Sequence, residues 1–136
     1  MNKDEGRLFL GEVRRIDSRI RRMKDQVDTL RASLLPSGIR YDTDRVQTSA
    51  RDPLPEVMAR IDELEGEIIR LRIQRAEAVL RIEEAIDSIG DPELQEILTA
   101  FYSKGERART IAKRVPCSRS GLYKMIDRAI EQLETK

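Results

Sequence analysis

The sequence predicts an all-α fold: a long antiparallel helical hairpin of coiled-coil type, followed by a small C-terminal helix-turn-helix domain. Three observations carry this. Apolar residues recur in alternating steps of three and four along two long stretches. Charged residues make up 38% of the chain and aromatics 4%, which favours long helices with solvated faces over a thick globular core. After Gly90 the helical period continues in short runs, each bounded by Gly, Pro or Ser.

The first helix is expected from about Asp4 to Leu34. Its seam is Phe9, Val13, Ile16, Ile20, Met23, Val27, Leu30 and Leu34, with Arg14, Arg15, Arg19, Arg21, Arg22 and Lys24 between them on what reads as a solvated face. Pro36 and Gly38 end it. Residues 35–54 carry no period and are rich in Pro, Gly, Ser, Thr and Asp, so a long loop is expected there, with Tyr41 and Val46 as the residues available to cover the helices.

A second long helix is expected to start near Pro53 or Pro55, since proline is tolerated in a first turn. Its seam runs Val57, Ile61, Leu64, Ile68, Leu71, then Ala78 or Val79, Ile82, Ile86 and Ile89. Arg75 falls where the heptad wants an apolar residue, so a change of phase is expected around it. Gly90-Asp91-Pro92 closes this helix and opens the next. Residues 1–90 thus read as a hairpin. Its first arm is net positive and its second strongly negative, which favours pairing the two arms with each other. Two helices leave part of each seam open, so a homodimer through these N-terminal helices is the expected assembly.

Residues 91–136 read as three short helices. The first, about Pro92 to Tyr102, has Asp91 as N-cap and Gly105 closing the loop after it. The second, about Glu106 to Arg114, turns Ala108, Ile111, Ala112 and Val115 inward. The last begins at Ser118, a good N-cap, and turns Leu122, Met125, Ala129, Ile130 and Leu133 inward. Cys117 is expected buried in the turn between them.

Charge is unevenly distributed. The chain totals +1, but residues 1–35 carry +3, residues 52–100 carry −8 and residues 101–136 carry +5. The basic end coincides with the tight helix–turn–helix, and its last helix turns Ser118, Arg119, Ser120, Tyr123, Lys124 and Asp127 outward. A recognition helix reads bases with its N-terminal residues, and arginine and lysine supply bidentate base and phosphate contacts. Ser118, Arg119, Ser120, Tyr123 and Lys124 are therefore the candidate base-facing residues of a double-stranded-DNA site. Lys104, Arg109, Lys113, Arg114 and Arg128 are the candidate phosphate contacts. Gly121 is expected to let the backbone approach the duplex.

The stretch from Leu94 to Leu133 resembles region 4 of sigma factors. The layout is more closely similar to RinA/ArpU-type phage transcriptional regulators: "FYSKG" at 101–105, "IA" at 111–112, Ser118 opening the last helix, and Arg128-Ala129-Ile130 leading to Leu133. The resemblance covers residues 93–134 and reaches the first 90 only in their coiled-coil style. It implies a sequence-specific regulator that activates transcription of phage or prophage genes, acts in the cytoplasm of a bacterial host, and has RNA polymerase as a further candidate contact. Pro116 departs from the family: proline cannot take positive φ, so the turn must be built differently.

Other classes fare less well. No histidine and one cysteine exclude Cys/His zinc sites and Ser-His or Cys-His catalysis, and no cofactor motif is present. An enzyme is not expected. No signal peptide or membrane span is expected, because no long apolar run occurs. Two alternatives stay open: a small-terminase-like DNA-packaging subunit, and a coiled-coil adaptor that does not bind DNA.

Overall fold

The computed structural model describes residues 1–35 and 52–133, and every regular element among them is helical. Tyr41, Val46 and most of the expected 35–54 loop lie outside the described residues. Helix α1, Lys3–Leu10, is capped by Asn2, whose side chain accepts from the Glu5 N–H at 2.8 Å. Helix α2, Glu12–Ser33, follows after one residue. The expected single helix is thus interrupted only at Gly11, and hydrogen bonding passes through it: Gly11 N–H donates to Arg7 and Arg15 N–H to Gly11.

Helix α3 is continuous over Leu54–Asp87, with Pro55 in its first turn. It packs antiparallel on α2. At one end, Arg75 Nε donates to Asp17 at 2.6 Å and Arg81 pairs with Glu12 at 3.1 Å. The strict heptad runs on through Arg75, with Ile61, Leu64, Ile68, Leu71, Ala78, Ile82, Ala85 and Ile89 buried in steps of three and four, and Ile86 of the expected shifted seam is buried beside Ala85, so the buried stripe widens after Arg75. Arg75 can hold its heptad place because its head leans out to Asp17 while its stem stays on the seam.

Helix α4, Pro92–Leu98, starts as expected, with the Asp91 side chain accepting from Glu93 N–H at 2.9 Å. Its continuation to Tyr102 is a correction: Thr99–Ser103 is a wider π-turn, with Lys104 N–H reaching back five residues to Thr99. Gly105 reverses the chain with φ of +68°. Helix α5 is Ala108–Arg114, two residues later than expected, because Arg107 is extended and the Glu106 side chain pairs with Arg114. Helix α6 is Arg119–Glu131.

The chain divides into two compact units. One is Ser18–Ile73, the middle of the hairpin, with Ile20, Val27, Ile61, Leu64, Ile68 and Leu71 buried and Arg31 paired with Glu65 at the rim. The other joins Met1–Asp17 to Gln74–Lys136. The division does not fall near Gly90, because α1 packs on α6 and ties the first residues to the C-terminal helices. Within this unit Leu10, Leu98, Ile111, Leu122 and Ile130 are fully buried.

Candidate nucleic-acid interface

The turn between α5 and α6 is made without a left-handed residue. Val115 (φ −108°, ψ 100°) and Ser118 (φ −79°, ψ 165°) are both extended, which accommodates Pro116. Ser118 caps α6, its hydroxyl accepting from Gly121 N–H at 3.0 Å, and that hydroxyl lies 3.3 Å from the Ser120 hydroxyl. Gly121 is half-buried, and a Cβ on it would sit 3.1 Å from the Ser118 hydroxyl. The glycine thus makes room for the cap, a different role from the open backbone expected of it.

Helical periodicity puts Arg119, Ser120, Tyr123 and Lys124 on adjacent turns of α6, and all four are exposed. Tyr123 is 45% exposed and leans edge-on against Phe101, with ring centroids 6.1 Å apart. Phe101 in turn meets Tyr102 edge-on at 4.9 Å. The π-turn sets this pair, and Arg14 of α2 caps it: its guanidinium lies 5.1 Å from the Phe101 ring centroid and donates to the Phe101 carbonyl. Burial pushes the Tyr102 hydroxyl's pKa up.

Of the candidate phosphate contacts, Lys104, Arg109, Lys113 and Arg128 are exposed, and none pairs with a described carboxylate. Arg114 is exposed but engaged. Its two terminal nitrogens donate to Glu106 at 2.7 and 3.0 Å, which holds the Glu106 carboxyl below the usual carboxylate range and raises Arg114.

Three expectations about α6 need correcting. Cys117 is half-buried rather than buried, because the extended turn leaves it between the core and solvent. Ile126, not Met125, carries the burial in mid-helix, because α1 covers a second side of α6 and widens its buried arc. Asp127 is not free on the outward face: Arg7 donates to it at 2.7 Å and Lys3 lies 3.8 Å away. That contact raises the Arg7 pKa.

Lys3, Arg7 and Arg14 are thus part of this surface and were missed from sequence. Arg14 read as a solvated position of the first helix and Lys3 and Arg7 drew no reading, since no local signal brings them to residues about 90 to 120 positions away.

The surface that results is rich in donors. Arg119 and Lys124 bring cations, Ser118, Ser120 and Tyr123 bring hydroxyls, and the nearest carboxylate on the helix is neutralised. Among the described residues no His/Cys/Asp/Glu cluster could hold a metal ion, and no helix is long and apolar enough to cross a membrane. Compared with known proteins, the chain matches no family model, no curated protein and no solved structure, so the reading of this face rests on its own geometry.

Proposed function

We propose that the chain is a sequence-specific double-stranded-DNA-binding transcription regulator of phage or prophage origin, with α6 as its recognition helix. The observation that carries this reading is the exposed row Arg119, Ser120, Tyr123 and Lys124 immediately after a tight helix–helix turn, with Asp127 of the same helix held by Arg7. The first turn of such a helix enters the major groove, where arginine makes bidentate contacts to guanine. Lys104, Arg109, Lys113 and Arg128 supply the phosphate contacts that fix register without reading sequence. Arg114 contributes less, because a phosphate has to compete with Glu106 for it. Activation of transcription, with RNA polymerase as a partner, follows from the sigma-region-4 resemblance and belongs to the same proposal.

The test begins by recovering fragments of the host or phage genome that the full chain retains. Affinity for the best fragment is then followed by fluorescence anisotropy across a salt series. Arg119→Ala is expected to cost about 1–3 kcal/mol and to relax sequence preference, as loss of a bidentate base contact does. Lys113→Ala is expected to weaken all fragments alike and to lower the salt slope by about one counterion. Unchanged affinity in both Arg119→Ala and Lys124→Ala at moderate salt sinks the proposal.

A further inference from the structure

Helix α3 carries a second apolar stripe that α2 does not cover. Gly66, Ile69, Ile73, Ala76 and Leu80 follow steps of three, four, three and four. Ile69, Ile73 and Leu80 are 60%, 55% and 67% exposed. At roughly 100° per residue this stripe lies about 140° round the helix from the buried seam of Ile61, Leu64, Ile68 and Leu71. Single exposed apolar residues are ordinary, but three large ones at sustained heptad spacing form a coiled-coil seam without a partner. Asp62 and Glu83 sit at the next heptad places on either side, so the seam ends in charge at both ends.

The charges beside the stripe specify the occupant. Glu65 and Arg72 lie along one edge, Arg70 and Glu77 along the other. In a parallel, in-register pair of α3 helices, each edge residue meets the one five positions on in the other helix. Glu65 then faces Arg70 and Arg72 faces Glu77, each twice by symmetry, giving four opposite-sign pairs. In the best-matched antiparallel register only Arg70 meets Glu77, and Arg72 meets Val79. We propose that a second copy of this chain docks on this face of α3 as a parallel two-stranded coiled coil, with Ile69, Ile73, Ala76 and Leu80 layered against themselves. Glu65 keeps Arg31 as a neighbour within its own chain and serves both. In each copy α4 starts five residues after α3 ends, so both C-terminal helical segments follow from the same end of the pair. The proposal needs no DNA and stands apart from the reading of α6.

The experiment is light scattering of the full chain, without DNA, in the micromolar range. The expected mass is that of two chains. The variant I69K/I73K is expected to give the mass of one chain with unchanged far-UV circular dichroism, since both residues are solvent-exposed. Arg72→Glu is expected to weaken dimerisation roughly tenfold, and adding Glu77→Arg to restore it. In a Cys117→Ser background, Ile73→Cys is expected to form a disulfide between copies, as facing in-register positions do. A one-chain mass for the unmodified protein overturns the proposal, as does a dimer that survives I69K/I73K. A dimer that dissociates in I69K/I73K but neither responds to the charge swap nor cross-links at position 73 overturns the parallel arrangement.

Discussion

Gly6 lies within α1, where glycine costs about 1 kcal/mol of helix propensity relative to alanine. Its use there is explained by close packing: a Cβ at Gly6 would stand 2.1 Å from the Ile130 Cγ2. Ile130 is fully buried and has no room to retreat. Gly6→Ala is therefore expected to destabilise the protein by about 1–3 kcal/mol despite the better propensity of alanine. Urea denaturation measures this, and a gain in stability would show that α1 does not dock on α6. Gly105 is glycine for another reason, its φ of +68°, and that role was legible from its place after "FYSK". The role of Gly6 was not, because its partner lies 124 positions away and nothing local marks it.

Among the helices, those with local punctuation were placed well. Asp91 and Ser118 cap α4 and α6 as expected, because an N-cap bond spans only two or three residues and is written in adjacent sequence. The π-turn at Thr99–Ser103 was not foreseen, since one residue of extra winding has no compositional mark. Arg75 was misread for an instructive reason. Counting apolar residues treats a seam arginine as a break in phase, whereas its long stem follows the seam and its head finds Asp17. Both side chains are about 40% exposed, so the pair is screened and contributes less than about 1 kcal/mol. Arg75→Leu is then expected to raise stability by about 1 kcal/mol, as apolar replacement on a seam commonly does. A thermal melt checks it; a clear fall in Tm would mean that the ion pair fixes the register of the hairpin.

Over the whole molecule, helical periodicity chose the outward face of α6, so the exposure of Arg119, Ser120, Tyr123 and Lys124 was legible. The neutralisation of Asp127 was not, since Lys3 and Arg7 come from the opposite end of the chain. The same long-range packing defines the compact unit of Met1–Asp17 and Gln74–Lys136. A fragment of residues 91–136 would lose α1 and leave Ile130 of α6 less covered, in a chain already too short to bury a sufficient core. It is expected to show weak helical circular dichroism and no cooperative melt, whereas the full chain melts cooperatively. A fragment that folds alone would place the boundary near Gly90 after all.

The contact between α1 and α6 also bears on the order of events during synthesis. During synthesis Ile130 follows Gly6 by 124 residues. The hairpin arms can close on each other once Asp87 has emerged, since everything they need is already present. Helix α1 must wait for its partner until α6 has been made. The donor-rich face of α6 thus acquires its paired Asp127 only once α1 and α6 have both been made and have docked.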